Sequence, residues 1–369
     1  MNIDLLKRLC EVPGIPGREE RVRALIEKEI KGLFDDVSTD AMGNLIARRG
    51  PRGSRAKGSK GASKPAPKKG KGDATKVMIA AHMDEIGFYV RHIDDDGFVW
   101  LNAAGGFDTR NLFSRRVLVC GDHPNGKDDL IGVMNPGGRP IHISSEEDRK
   151  KVPEVKEFMI DLGMPARDVK KHVKVGTMVV LHEPFVEIGT KVVSKALDNR
   201  FACWLGIETV RALETSGSAH ACEVIVAFTV QEEVGLRGAK TASNAVQPDI
   251  GIGIDVSLAC DTPGVPGTEA VNHHGEGVGL HVMDSSFIAD HTLINELEAV
   301  AKKNRIKHQR TILARGGQDG AAMQQAMAGA RAAGIVCGTR YIHTVTEMID
   351  TRDLGAALDL LAKWVPTVK

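Results

Sequence analysis

The sequence predicts an α/β fold: a largely parallel sheet flanked by helices, interrupted by a small β-barrel-like domain. Three observations predict it. At 369 residues the chain is long for one compact domain, so two domains are the natural expectation. Residues 86–189 are strand-rich, with turn residues between the runs. Beyond them, helix-like and strand-like segments alternate, as a parallel sheet with crossover helices requires. The expected organisation is a main domain of residues 1–85 plus 190–369 around an inserted domain of residues 86–189.

Each element has its own signal. IDLLKRLCEV and REERVRALIEKEIKGLF carry apolar residues at helical spacing, with the turn PGIPG between them. DVSTDAMGNLIARR reads as a strand pair turning at residues 43–44. KVMIAAHMDEIG opens the strand-rich part, and FYVRHIDDDGFVWL reads as a hairpin around residues 96–97. RVLVC, LIGVMN, KVGTMVVL and GTKVVS continue as strands, and EEDRKKVPEVKEFMIDLGM suggests a short helix among them. After ALDNR come a helix (RFACWLGIETVRALE), a buried strand (CEVIVAFTV), a helix (LRGAKTASNAV) and a buried strand (DIGIGIDVS). SFIADHTLINELEAVAKKN, DGAAMQQAMAG and TRDLGAALDLLAKWV read as helices, with KHQRTIL and ARAAGIVCG as the strands between.

Apolar residues make up 42% of the chain, ample for a core, and no run approaches a membrane span. The net charge of +1 hides an asymmetry: residues 48–76 hold eleven of the 49 Lys and Arg against one of the 48 acids, leaving the rest at −9. That argues against a nucleic-acid-binding body. Residues 50–75, rich in Gly, Ser, Lys, Pro and Ala, cannot bury enough apolar surface to order themselves and read as a flexible basic loop. The N-terminus does not read as a signal peptide. Cys10, Cys120, Cys203, Cys222, Cys260 and Cys337 are scattered without a CxxC pair, which fits buried, reduced thiols and a cytoplasmic setting and not a thiolate zinc site.

In an open α/β sheet, functional groups gather beyond the carboxyl ends of the strands. His82 and Asp84 close KVMIAA, Glu232 and Glu233 follow CEVIVAFTVQ, Asp255 follows DIGIGI, and His343 follows GIVCGTRYI. Asp198, in ALDNR, precedes the helix that re-enters the α/β domain. Imidazole and carboxylate donors without thiolate suit zinc, cobalt or manganese. Two ions need a bridging carboxylate, and a further carboxylate free of metal is needed to move the water's proton. Neighbours on an extended strand point to opposite faces, so Glu232 and Glu233 must sit in a turn, which Gly235 permits.

Together AAHMDEIGFYV, KALDNR, QEEVGLRGA, the Asp of GIDVS, DTPGVPG and RYIHT…EM resemble metallopeptidase family 42, the glutamyl, leucyl, deblocking and tetrahedral aminopeptidases, over nearly the whole chain. The resemblance implies two divalent metal ions, zinc or cobalt, on a dinuclear zinc-peptidase-like domain. His82 and Asp255 would bind one, Glu233 and His343 the other, and Asp198 would bridge. Glu232 would be the general base and acid, and Asp84 would orient His82. The implied activity is hydrolysis of the N-terminal residue of peptides through a metal-bridged hydroxide. Residues 86–189 would form a dimerisation domain, with dimers assembling into a tetrahedral dodecamer. Three departures stand out. Gln318 replaces the usual Thr in GGQDGAAM, leaving substrate contacts at Gln318 and Asp319 open; Thr344, Val345 and Thr346 follow His343 where Ser and Pro are frequent; and the basic loop is an insertion.

The rivals are a metal-dependent deacylase or amidase acting on a non-peptide amide, and a non-catalytic scaffold using the basic loop. DDDG at residues 94–97 lacks the spacing of a calcium loop and reads as a turn. His273 and His274 lack ligand partners in sequence, and GEGVG is not followed by the Lys-Ser/Thr of a phosphate loop.

Overall fold

A computed structural model describes residues 1–53 and 74–369. The expected basic loop lies mostly outside these described residues. The first strands are β1 (Asp36–Thr39), β2 (Leu45–Arg49) and β3 (Lys76–His82). Then follow β4 (Gly87–Ile93), β5 (Val99–Ala104), β6 (Arg115–Cys120), β7 (Leu130–Pro136), β8 (Phe158–Asp161) and β9 (Met178–Leu181). The remainder are β10 (Val186–Ile188), β11 (Lys191–Ser194), β12 (Glu223–Thr229), β13 (Ile250–Leu258), β14 (Val278–Met283), β15 (His308–Ile312), β16 (Arg331–Arg340) and β17 (Glu347–Asp350).

The mixed α/β architecture follows the sequence expectation. An 11-stranded sheet runs β1-β2-β12-β3-β13-β16-β17-β11-β10, with β14 and β15 branching from β16. Its centre, β12-β3-β13-β16, is parallel, while both margins are antiparallel. Central strands are apolar on both faces because helices cover both. Along β3, Val77, Ile79 and Ala81 join the larger core with the helices Ile3–Glu11, Leu197–Ser216 and Thr351–Trp364. Met78 and Ala80 face the other way, against Ala242, Val246 and Met323 on the helices Arg237–Val246 and Asp319–Gln324. This is the period of two expected of a strand.

β4 to β9 close into a six-stranded barrel, β4-β5-β8-β7-β6-β9, filled by a separate cluster that includes Phe88, Leu101, Val117, Phe158 and Ile160. The stretch expected to hold one short helix is more broken up. It contains a five-residue helix, Glu146–Lys150, and then the barrel strand β8. In β8, Phe158 and Ile160 point inward, but four residues carry too little periodicity to be read. β10 pairs with β11 and so belongs to the large sheet, not to the barrel. Among the described residues no helix is long and apolar enough to cross a membrane.

Candidate active site

Parallel strands end on a common side, so their carboxyl ends bring distant residues together. His82 is the last residue of β3, Glu232 and Glu233 lie just past β12, and His343 lies just past β16. Asp255 differs slightly from expectation: β13 does not end before it but continues to Leu258. The β13–β3 ladder stops at Gly253↔Ala80, two residues short of both Asp255 and His82, and beyond it His82 Nε2 faces Asp255 Oδ1 at 4.0 Å. Asp198 arrives at the start of the helix Leu197–Ser216, where Asp198 and Asn199 have non-helical backbone angles and share a cis peptide bond. Glu232 and Glu233 sit in the turn the sequence requires: Gly235 has φ 121°, and its N–H donates to the Glu232 carbonyl at 2.8 Å.

Two clusters of donor atoms result. His82, Asp198 and Asp255 form one, and Asp198, Glu233 and His343 the other, with the atoms of each within 4.8 Å of one another. Asp198 Oδ1 is 3.4 Å from His82 Nε2, while Asp198 Oδ2 is 3.4 Å from His343 Nε2. Glu233 Oε2 lies 3.4 Å from the same His343 nitrogen. Glu232 Oε2 is 3.8 Å from His82 Nε2, and a third grouping of His82, Glu232 and Glu233 is also within reach. His82 Nε2 and Glu233 Oε1 are buried without a hydrogen-bond partner among the described residues. With Nδ1 donating to the Asp84 carbonyl, the neutral His82 imidazole turns the Nε2 lone pair toward the carboxylates of Asp198, Glu232 and Asp255, none of which donates when ionised. A cation suits both that lone pair and the anionic Glu233 oxygen. The donors are nitrogen and oxygen throughout, since no cysteine enters the clusters.

The electrostatics say the same. Burial works against charge on His82, but Glu232, Asp198 and Asp84 outweigh it and raise its pKa well above 6.5. His343 behaves alike: burial opposes charging, yet Asp198 and Glu233 push its pKa up to about 12. Burial, then repulsion from Asp255, Glu233 and Asp319, drives the Glu232 carboxyl well up. Asp255 is raised by burial and by Asp198. Asp198 itself is lowered, because the two imidazoles outweigh its burial. Four carboxylates around two imidazoles thus attract positive charge from any source, whether protons or metal ions.

Surrounding side chains hold the main chain of this centre. Asp84 accepts the N–H of Glu232 and of Glu233, each at 3.1 Å, so it fixes the Glu pair as well as facing His82. His82 Nδ1 contacts the Asp84 carbonyl at 3.0 Å and the carboxylate at 3.5 Å. Asn199 donates to Asp255 Oδ1 at 3.1 Å and to the Ile254 carbonyl at 2.8 Å. Glu19 accepts the N–H of Gln231 at 3.0 Å. Glu85 is buried between Lys195 and Arg200, whose guanidinium also holds the carbonyls of Leu9, Val12 and Gly14. Sequence reading gave no role to Asn199, Glu19, Glu85 or Glu347. An acid or amide next to a motif carries no sign of which backbone it will bind. Gln318 and Asp319 are buried at the start of the helix Asp319–Gln324, where Asp319 accepts a bond from the Thr229 hydroxyl. Neither lines the cleft, whose wall is formed there by Gly316 and Gly317.

That cleft has a volume of about 700 Å³, with Leu236, Leu313 and Ile342 as apolar walls and Arg315 as a cationic one. Paired nitrogen and oxygen donor clusters at the carboxyl edge of a central parallel sheet, opening on such a cleft, suit a metal-dependent hydrolase. Residues 64–360 match the family described as M42 glutamyl aminopeptidase, and the chain belongs to that family. It is therefore a peptidase hydrolase, and its family membership makes it a metal-dependent aminopeptidase.

Relatives agree along the whole length. A putative aminopeptidase of Acetivibrio thermocellus is 34% identical over 361 residues, covering 98% of this chain and 97% of that one. A lysyl aminopeptidase of Pyrococcus furiosus is 30% identical, covering 97% and 94%. Among solved structures, the TET1 peptidase of Pyrococcus horikoshii, which can assemble into a tetrahedron or a large octahedral shell, superposes with a TM-score of 0.82. It shares 30% identity and covers 99% of both chains.

Proposed function

We propose that this aminopeptidase removes the N-terminal residue of peptides at a dinuclear centre. One ion would be held by His82, Asp198 and Asp255, the other by Asp198, Glu233 and His343. The observation that carries this reading is the Asp198 carboxylate, which turns a different oxygen to each of two imidazoles at 3.4 Å. A carboxylate so placed belongs to both clusters and is suited to bridge them. Zinc and cobalt both fit the donors. When bound, two such ions polarise a peptide carbonyl and make an attacking water more acidic. The chain's own part falls to Glu232, which lies beside His82 and outside both Asp198-centred clusters. Glu232 takes the proton from the water and returns it to the departing amine, the exchange expected of one carboxyl acting first as base and then as acid. Burial by itself pushes the Glu232 carboxyl upward, the direction that this double duty requires. Asp84 holds the Glu232 main chain in place for it.

Self-association is part of the proposal. The barrel's outer surface exposes Ile131 and Val133 on β7, the turn Ile141–Ile143 that follows β7 exposes both its isoleucines, and a second copy of the chain would cover them. The shell-forming Pyrococcus horikoshii relative supports assembly beyond a dimer. All six thiols are free, consistent with a cytoplasmic location.

The test is an aminopeptidase assay across aminoacyl-p-nitroanilides and N-acyl analogues, run on metal-stripped protein restored with zinc, cobalt or manganese in turn. We expect activity on free-amine substrates, absent from the stripped protein and restored with two ions per chain. Full activity in stripped protein, or turnover confined to N-acyl substrates, would exclude this function.

A further inference from the structure

Two proposed ligands of one ion share a single partner that sequence reading passed over. Glu347, 2% exposed at the start of β17, accepts the Asp198 N–H on Oε2 at 2.9 Å and the His343 N–H on Oε1 at 2.8 Å. Both donors lie on irregular backbone. Asp198 sits in the non-helical start of its helix. His343 has φ 64° and Tyr341 φ 60°, in the segment joining β16 to β17. Residues with a Cβ seldom adopt that left-handed conformation, and it persists where surrounding contacts hold it. The sheet gives little help, because the β16–β17 ladder pairs only Thr339 with Ile349 and Arg340 with Met348. One buried carboxylate therefore ties the main chain of the bridging aspartate to that of the histidine opposite it.

We propose that Glu347 is a positioning residue of the metal centre, fixing the Asp198 carboxylate and the His343 imidazole relative to each other. The proposal rests on the dinuclear reading above. It is the counterpart of Asp84, which performs the same double acceptance for Glu232 and Glu233. It also carries a built-in asymmetry. Asp198 belongs to both clusters but His343 to one, so loss of Glu347 displaces two of three donors at the Asp198–Glu233–His343 position. At the His82–Asp198–Asp255 position it displaces one.

The test compares parent, Glu347→Ala and Glu347→Gln as metal-free proteins titrated with Zn²⁺ against a chromophoric chelator. The parent is expected to take two ions. Glu347→Ala should weaken one ion about 10–100-fold, the usual scale for losing such an outer hydrogen-bonding partner, and the other by clearly less, so that the ratio of the two affinities changes. Glu347→Gln, which can accept only one of the two N–H groups, should fall between. Should the alanine variant fail to fold, the glutamine variant supports the same comparison. A purely structural role would lower the melting temperature of the metal-free protein and leave the two affinities in their parental ratio. That result, or unchanged binding in a folded variant, overturns the proposal. A parent that binds fewer than two ions defeats the dinuclear reading and the proposal together, whereas two ions with no selective weakening defeats Glu347's role alone.

Discussion

Replacing Glu232 with Gln separates the proton-transfer role from metal binding. The variant keeps the side-chain length and a hydrogen-bonding oxygen, but an amide has no useful basicity. Both Asp198-centred clusters are complete without Glu232, so two ions should remain bound. A positioned general base typically contributes about 10²–10⁴-fold in rate. At about 1.36 kcal/mol per tenfold, this is roughly 3–5 kcal/mol of barrier. The fall should appear in kcat, with KM little changed, because Glu232 acts on the water and the departing amine and not on the resting substrate. The assay is steady-state hydrolysis of an aminoacyl-p-nitroanilide, with metal content measured on the same sample by plasma mass spectrometry. Activity within about tenfold of the parent at two ions per chain would refute the base assignment. Loss of one ion would instead select the alternative grouping of His82, Glu232 and Glu233 as a real ligand set.

Two further substitutions test how the centre is supported. Glu85→Gln leaves the Lys195 and Arg200 charges, 3% and 0% exposed, without their anion. Breaking a buried ion pair from one side typically costs about 3–5 kcal/mol. Urea unfolding should show a loss of that size, and adding Lys195→Met should recover part of it; a loss below about 1 kcal/mol would contradict the charge argument. Gly253→Ala would bring a Cβ to 1.8 Å from Gln318 Oε1 and 2.7 Å from the Gly320 nitrogen. Overpacking of this kind costs about 1–3 kcal/mol. Combining it with Gln318→Thr should relieve the first clash but not the second, so a double-mutant cycle should show favourable coupling of about 1 kcal/mol, and strict additivity would rule the packing account out.

Much of the fold was legible because the pattern is coarse and repeated. Buried parallel strands announce themselves as apolar runs such as EVIVAFT and IGIGI, and the helices between them carry a 3.6-residue period. What sequence missed was short or relational. FMID is a strand only because β5 and β7 flank it in a closed barrel. Gln318, a departure visible in the sequence, gets its physical explanation only from the sheet. Gly253 and Gly334 are register partners on β13 and β16, and the glutamine side chain occupies the space that two missing Cβ atoms leave.

The site divides in the same way. Chemistry that needs a particular side chain leaves a mark on the sequence, so His82, Glu232, Glu233, Asp255 and His343 could be picked out as residue types after apolar strand runs, and Asp198 as an acid ahead of a helix. Positioning leaves a weaker mark, because its partner is a backbone N–H that every residue but proline offers. Asp84 and Glu347 illustrate this: each is an acid within a few residues of a histidine, and each is defined by which two N–H groups its carboxylate reaches. Those four N–H groups belong to Glu232, Glu233, Asp198 and His343, three of them proposed ligands and the fourth the proposed base. None of the four lies within a strand. The sheet brings the segments together to within a few ångströms, and the two buried carboxylates then fix the irregular backbone that the sheet cannot. On this division of labour, changes to the sheet should affect whether the protein folds, while changes to Asp84 or Glu347 should affect how tightly a folded protein holds its ions.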